Sequence, residues 1–183
     1  MPGAIDAPHS YRRREMARFR LVPDRSELWA EARSTLHPVR VHTTGLTGVL
    51  ELEIRGDGLE LVPPTHVELE TERLRSGNAL VDGELRRRLE ARKFPRIRGE
   101  LTRSVAGAGD RRSWVAGELT FHGVTRNLEV EVTVRQLDEH TLEIEGARSI
   151  DMRDFGLPPP SFLMFRVQPE VQVRARLVGE REG

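Results

Sequence analysis

Cysteine is missing from this chain of 183 residues. Its absence excludes disulfide bonds, thiolate metal sites and cysteine nucleophiles. Aromatic residues are scarce, at 5% of the chain, so we expect few bulky rings in the interior. A net charge is missing too, because 29 Lys and Arg residues balance 29 Asp and Glu residues. Without a field of one sign, we expect binding neither to nucleic acid nor to an anionic membrane surface.

Long apolar runs are also absent. No stretch approaches the ~20 apolar residues of a membrane-spanning helix. Residues 12–14 are three arginines, but the charged residues after them leave no room for the apolar run of a secretory or twin-arginine signal. We therefore expect no stable membrane insertion and a cytoplasmic protein. Residues 1–22 are predicted to be a poorly ordered arm, with Phe19 and Leu21 as its docking residues, and residues 23–183 a single domain.

The clearest structural pattern lies in residues 117–134, which have the sequence GELTFHGVTRNLEVEVTV. Apolar side chains alternate with polar ones on both sides of a Gly- and Asn-containing turn, with Leu119 and Phe121 before it and Leu128, Val130, Val132 and Val134 after it. A period of two is typical of half-buried strands, and Gly and Asn suit a tight connection. The stretch is predicted to be an antiparallel hairpin with one apolar face.

Similar alternation recurs along most of the chain. Predicted strands occupy residues 26–34, 39–42, 49–54, 59–62, 65–71, 97–103, 113–121, 128–137, 141–147 and 171–177, and Pro63-Pro64 is predicted to end one of them. In residues 26–34 the pattern does not decide which face points inward. About eight short strands with turns between them predict an all-β fold with one short helix, an antiparallel up-and-down barrel.

Residues 82–93 change the period. Leu85 and Leu89 lie four residues apart, and Glu84 precedes Arg88 by four, the favourable order for an ion pair. Asp82 is the candidate N-cap of this short amphipathic helix. We expect the helix to cover one open end of the barrel.

Three segments also carry a family resemblance. They are the GELTFHGVTRNLEVEV hairpin, the stretch from Gly83-Glu84-Leu85-Arg86 to Lys93-Phe94-Pro95-Arg96-Ile97, and the late Asp154-Phe155-Gly156-Leu157 turn. In this order and spacing they resemble the YceI-like family of lipocalin-like, lipid-binding barrels, over about residues 26–178. The resemblance implies a lipocalin-like barrel whose elongated tunnel holds a long-chain isoprenoid or similar lipid.

The residues expected to face inward are mostly Leu, Val, Ile, Gly and Ala and offer no charge, so the body of a ligand would be an apolar chain. The same alternation would also be seen in a barrel filled by its own side chains. The predicted tunnel residues are Leu50, Leu52, Ile54, Leu119, Phe121, Leu128, Val130, Val132, Ile144, Phe162, Phe165 and Val173. The apolar run 162–165 is expected at a homodimer contact or at the rim of the pocket.

Charged candidates are fewer. Arg86 and Arg92, on the predicted helix, are candidates for holding an anionic head group at the mouth of the barrel, although a solvated helix face has the same composition. The histidines show no metal-binding spacing, and His122 is interpreted as a structural turn residue. No catalytic, metal or cofactor site is predicted.

The predicted function is therefore non-catalytic binding, sequestration or transport of a long-chain hydrophobic molecule. One alternative is a solid-core barrel that acts in protein interaction or stress response. Another is an enzyme acting on a lipid within the barrel, which would require a titratable group of displaced pKa in the cavity.

Overall fold

Eleven strands, one α-helix and three short 3-10 helices, Pro23–Arg25, Thr71–Arg73 and Met152–Phe155, occur in the described part of the chain. The computed structural model describes residues 14–55, 58–106, 112–158, 161–162 and 165–183. The strands are Arg14–Leu21 (β1), Glu27–Ser34 (β2), Val39–Thr44 (β3), Thr47–Arg55 (β4), Gly58–Glu70 (β5), Arg96–Ala106 (β6), Arg112–Phe121 (β7), Val124–Gln136 (β8), Thr141–Asp151 (β9), Ser161–Phe162 (β10) and Phe165–Arg181 (β11), and the helix is Ala79–Arg88 (α1).

Eight of these strands close into an antiparallel barrel, as predicted. The ring runs β1-β4-β5-β6-β7-β8-β9-β11, and β11 pairs back onto β1. The long strand β11 makes this closure possible. Its end pairs with β1 from Gly179 to Arg181, and the preceding part pairs with β2. The β2–β3 hairpin thereby extends the barrel wall beyond the closed ring.

Strand β1 corrects the predicted domain boundary. Residues 14–21 are not a loose arm, since β1 pairs with β4 from Arg14↔Arg55 to Arg20↔Val49. Ala17, Phe19 and Leu21 are each only 3% exposed in the core. Their burial supplies the apolar contact that holds a strand with a charged outer face. Residues 1–13, also assigned to the arm, lie outside the described residues.

Strand β5 corrects a second expectation. Pro63-Pro64 does not end the strand, because β5 continues to Glu70. The register with β4 shifts instead, from Glu51↔Val62 to Val49↔His66. Within this irregularity the Thr65 hydroxyl accepts a hydrogen bond from Glu51 N at 2.8 Å. A side chain thus satisfies a main-chain donor where the ladder is interrupted, as bulges permit.

The alternation of inward and outward residues follows the predicted register. On β8, Val132 is 7% exposed, whereas the neighbouring Glu131 is exposed and lies 3.4 Å from Arg112. On β2, where the sequence did not decide, Leu28, Ala30 and Ala32 face the barrel interior. Trp29 therefore lies outside, stacked on His42 with ring centroids 5.3 Å apart.

Helix α1 begins and ends earlier than predicted, at Ala79 and Arg88, so Arg92 lies beyond it. Asn78, not Asp82, is its N-cap, and its side-chain oxygen accepts hydrogen bonds from Leu80 N and Val81 N. Asp82 accepts instead from the main-chain and hydroxyl groups of Ser76, at 2.6 and 2.7 Å, which fixes the loop that enters the helix. No helix in the described ranges is long and apolar enough to span a bilayer.

Candidate functional site: the barrel lumen

Two apolar cavities lie inside the barrel, each of about 280 Å³. The first, which we call the wall cavity, lies among β4 to β9 and β11. The second, the helix cavity, extends to β2, β3 and α1. Leu119, Ile150 and Val173 line both cavities. The two cavities therefore meet at these three side chains, and together they have the size of an ordinary ligand site.

The linings are almost entirely aliphatic. The wall cavity is lined chiefly by Leu50, Leu61, Val67, Leu101, Val115, Leu119, Leu128, Val130, Val132, Ile144, Ile150, Val173, Ala175 and Leu177. The helix cavity is lined chiefly by Leu28, Ala30, Ala32, Val39, Val41, Leu74, Leu85, Leu89, Ile97, Leu119, Phe121, Ile150, Met152, Leu157, Val167, Val171 and Val173. Small and medium side chains leave space at the centre that larger rings would fill.

Most of the predicted tunnel residues are brought together by the fold. Leu50, Leu119, Leu128, Val130, Val132, Ile144 and Val173 line the wall cavity, and Phe121 lines the helix cavity. Leu52, which is 0% exposed, and Ile54 pack in the core and line neither cavity. The side chains of Phe162 and Phe165 lie outside the described part of the structure.

The helix lies over one end of the lumen, as expected. Leu85 and Leu89 both line the helix cavity, and Arg88 lies beside them. The Nη2 of Arg88 donates to Pro158 O at 2.5 Å, and its Nη1 lies 3.9 Å from Glu84. Arg86 and Arg92 are exposed and line neither cavity. Arg88, which was predicted to pair with Glu84, is therefore the arginine of this helix nearest the lumen.

Charged residues also border the wall cavity, which corrects the expectation of an uncharged interior: Glu100, Glu118 and Arg148, all exposed, are among its lining residues. Arg148 lines the wall cavity and lies on β9 at the same parity as the buried Ile144. Its Cα pairs with Val173, which lines both cavities. This strand was predicted to end at residue 147, but β9 continues to Asp151 and therefore includes Arg148.

A family model for the YceI-like domain matches residues 19–179 of this sequence. The chain belongs to the YceI-like family. No curated protein matches it significantly. Among solved structures, its fold is similar to that of Burkholderia cenocepacia BcnA, with a TM-score of 0.71 at 17% identity over 86% of this chain and 98% of that one.

Two further solved structures have the same fold. A domain from Saccharophagus degradans, described as polyisoprenoid-binding and implicated in plant cell wall breakdown, has a TM-score of 0.70 at 16% identity, covering 90% of this chain and 98% of that one. The Campylobacter jejuni YceI protein has a TM-score of 0.65 at 12% identity, covering 79% and 86%. At such identities these likenesses establish the fold alone.

The three segments that carry the YceI-like resemblance meet at one end of the barrel. His122 links them: its Nδ1 lies 3.2 Å from Phe155 O, its Nε2 lies 3.1 Å from Glu90 Oε2, and its ring meets Phe94 edge-on at 4.6 Å. Phe155, 1% exposed, packs against Phe121 with ring centroids 5.8 Å apart. In this YceI-like chain His122 thus has the structural role that its turn position predicted.

Carboxylates with a displaced pKa lie outside the lumen. Burial opposes ionisation of Glu143, but Arg176 and Arg135 bind its two oxygens at 2.6 and 2.5 Å, and their hydrogen bonds and charges lower its pKa. Hydrogen bonds from Ser76 lower the pKa of Asp82. Neither carboxylate lines a cavity. Across the described residues, no three His, Asp or Glu side chains converge as a metal site.

Proposed function

We propose that this YceI-like protein binds a long-chain hydrophobic small molecule, an isoprenoid or similar lipid, inside its barrel and does not transform it. The observation that carries the proposal is the pair of aliphatic cavities that meet at Leu119, Ile150 and Val173. Two adjacent cavities of about 280 Å³ each that share lining residues suit an elongated ligand better than a compact one.

The lining favours a hydrocarbon chain for a physical reason. Each methylene group removed from water gains roughly 0.8 kcal/mol. About 20 of them would contribute roughly 16 kcal/mol, which outweighs the ~4 to 15 kcal/mol that association costs in lost translational and rotational freedom. An apolar chain also leaves no polar group without a partner inside an aliphatic lumen.

The relatives point in the same direction. One structure with this fold is a polyisoprenoid-binding domain by its description, and the family of this chain is the same YceI-like family that the sequence resemblance indicated. We carry the isoprenoid over to this chain as the proposed ligand class. Sequestration and transport are both compatible with such binding.

The positions of the carboxylates with a lowered pKa favour binding without catalysis. The buried carboxylate Glu143 and the capping-loop carboxylate Asp82 both lie outside the cavities, where a general acid or base could not reach a ligand in the lumen. Their lowered pKa values have structural causes, namely arginine pairing and hydrogen bonds from Ser76. An enzyme acting on a lipid would require such a group to face the chain.

The alternative of a solid-core barrel requires a lumen filled by side chains. Leu119, Leu128, Val130 and Val173 are only half-buried although they point inward. The wall cavity lies against them, so these side chains do not fill the lumen. This favours a binding protein over a barrel that serves only as a rigid interaction surface.

Organic-solvent extraction of the purified protein, followed by mass spectrometry, tests the proposal. We expect a co-purified long-chain lipid, or saturable binding of an uncharged polyene ester after delipidation. A matched control is the same protein unfolded in denaturant before the titration, which should lose the saturable signal. Extracts without lipid, together with no saturable binding to the delipidated protein, would contradict the proposal.

We also propose that the protein forms a homodimer through residues 162–165. The sequence Phe-Leu-Met-Phe there cannot alternate between core and solvent, and apolar patches on protein surfaces often mark contacts between proteins. The main chains of Phe162 and Phe165 pair directly with each other. The two ends of the run are therefore adjacent at one narrow site on the barrel.

A further inference from the structure

The wall of the barrel is not paired evenly. Strands β8 and β9 pair only from Val132↔Gly146 to Gln136↔Leu142. Before Val132, β8 pairs with β7 alone, and after Gly146, β9 pairs with β11 alone. Along these two fully described strands the ladder therefore stops halfway. Residues 124–131 of β8 and 147–151 of β9 are not paired with each other. They form the two rims of what we call the β8–β9 gap.

The wall cavity reaches this gap from inside. On the β8 rim, Leu128 and Val130 line the wall cavity, and on the β9 rim Arg148 and Ile150 line it. Exposure changes where pairing ends: Val134 and Ile144, in the paired half, are 2% and 4% exposed, whereas Leu128 and Val130 are half-buried. The side chains that face the lumen at the gap are thus the ones accessible from outside.

Arg148 occupies the gap with an uncompensated charge. Its Nη1 donates across the gap to the main-chain oxygen of Glu129 on β8. No carboxylate of the described residues lies within ion-pair distance of its guanidinium. Arg88, at the other end of the lumen, differs because Glu84 and Pro158 O already engage it. A guanidinium has five N–H donors in a fork that matches carboxylate and phosphate oxygens.

We propose that the β8–β9 gap is a lateral opening to the lumen and that Arg148 binds an anionic head group, a phosphate or a carboxylate, of an amphiphile whose chain lies in the wall cavity. This inference rests on the proposed function, because it assigns the head of a ligand whose chain the lumen holds. The ligand class is therefore an anionic long-chain lipid, with its charged end at the side of the barrel and not beneath α1.

Paired probes with and without the charge test the head-group site. We would titrate cis-parinaric acid and its methyl ester into the delipidated wild type and into Arg148→Gln, with Arg33→Gln as the matched control. Arg33 lies exposed on β2 and lines neither cavity. Arg148→Gln should weaken the acid about ten-fold and change the ester less than about two-fold, since only the acid loses a charge-assisted contact. Arg33→Gln should leave both unchanged.

The outcomes separate the two proposals. If neither probe binds the wild type, the proposed function itself fails. If the ester binds the wild type but Arg148→Gln lowers the affinities for acid and ester equally, the head-group site is wrong while the lumen proposal survives. The same conclusion holds if Arg148→Gln changes neither affinity. Competition experiments identify the source of the anion. If inorganic phosphate displaces the acid but not the ester, Arg148 binds a simple anion. If farnesyl phosphate displaces the acid and a mixture of phosphate and farnesol does not, the site binds an amphiphile.

The lateral opening has its own test, which uses the absence of native cysteine. Ala147→Cys places a single thiol on the exposed β9 rim, and Glu139→Cys places one in the turn at the paired end of the same strands. After labelling with a bulky maleimide, the Ala147 variant should bind the ester at least about five-fold more slowly. The labelled Glu139 variant should bind at the unlabelled rate. Equal association rates for the two labelled variants would overturn the opening.

Discussion

The alternation of inward and outward side chains is clearest at Val132 and Glu131, which are neighbours in sequence on opposite faces of β8. Val132 lines the wall cavity and is 7% exposed, whereas the Glu131 side chain is 41% exposed and pairs with Arg112. We predict that Val132→Arg costs about 3 kcal/mol or more, because an apolar wall replaces the hydration of the guanidinium. Glu131→Arg should cost about 0.5 kcal/mol, the value of a surface charge interaction.

Denaturant unfolding of the two variants measures this difference. Each carries the same new side chain, so the intrinsic strand propensity of arginine is held constant. Similar unfolding midpoints would show that the β8 register, and with it the assignment of the apolar wall, is wrong.

Asp82 gives a pH-dependent prediction at the same scale. Hydrogen bonds from Ser76 Oγ and Ser76 N lower its pKa below the ordinary value of 3.8. A carboxylate whose pKa is lower in the folded state adds stability above its unfolded pKa, and this stability is lost as the pH falls through the folded pKa. Asp82→Asn should therefore destabilise the protein at pH 7, and the difference from wild type should shrink in the acid range below about pH 4.

Unfolding midpoints at neutral and acid pH check this. Asp24→Asn, at an exposed position, is the control and should track the wild type throughout. A penalty for Asp82→Asn that is the same at both pH values would show that the ionised carboxylate contributes nothing to the helix entry.

At the element scale, the turn between β7 and β8 holds the closed end of the barrel together. Gly123 has φ +73°, and a Cβ there would lie 2.5 Å from Phe94 Cε1. Gly77 has a similar φ of +80° with nothing within 4 Å of such a Cβ. Both Gly→Ala changes pay the left-handed backbone cost of about 1 kcal/mol, but Gly123→Ala must also displace the Phe94 ring.

Thermal or denaturant unfolding should show Gly123→Ala to be less stable than Gly77→Ala by about 1 kcal/mol or more. The aromatic near-ultraviolet circular dichroism of Gly123→Ala should change as well, since Phe94 packs against His122. Equal losses in the two variants would mean that the turn fits Phe94 no more closely than an open loop.

Elements with a strong local pattern could be predicted from the sequence. The β7–β8 hairpin follows from alternation around a glycine, although the turn is only His122-Gly123 and Asn127 lies within β8 opposite Glu118. The helix follows from Leu85 and Leu89 four residues apart. Strand β1 was missed because its alternating Ala17, Phe19 and Leu21 follow a stretch rich in arginine and proline. Its identity as a strand depends on pairing with β4 and β11, which are distant in sequence.

Pairing between strands also explains why the rest of the site could not be predicted. The continuation of β5 past Pro63-Pro64 depends on the register of β4, and the β8–β9 gap depends on where two ladders diverge. No local pattern records either. Arg148 was missed because a strand predicted to end at residue 147 has no inward position at 148. Arg88 was predicted to pair with Glu84, and its position beside the lumen depends on how the helix packs on the barrel.

At the scale of the whole molecule, the paired main chains of Phe162 and Phe165 place the apolar run at one site. We predict that Phe162→Ser with Phe165→Ser shifts the molar mass in light scattering from dimer to monomer, because the contact loses most of its apolar area. A double Ser substitution at Leu36 and Leu80, exposed at 66% and 86%, is the control for a general loss of surface hydrophobicity. An unchanged mass in the Phe double variant, or an equal change in the control, would remove the proposed interface.

We propose that the two cavities act together as one lumen for a long chain. Val173 lies where they meet, and Gln172 is its exposed neighbour on β11. Val173→Trp fills the junction, and empty space on both sides limits the cost of the larger side chain. Gln172→Trp adds the same ring on the outside.

The most direct measurement is competition by a short and a long isoprenoid alcohol, geraniol and geranylgeraniol, against an apolar fluorescent probe in wild type, Val173→Trp and Gln172→Trp. We predict that Val173→Trp weakens the long alcohol at least about ten-fold and the short one less than about three-fold, since a short chain needs only one cavity. Gln172→Trp should match the wild type for both. Undiminished binding of the long alcohol by a correctly folded Val173→Trp variant would contradict a continuous lumen.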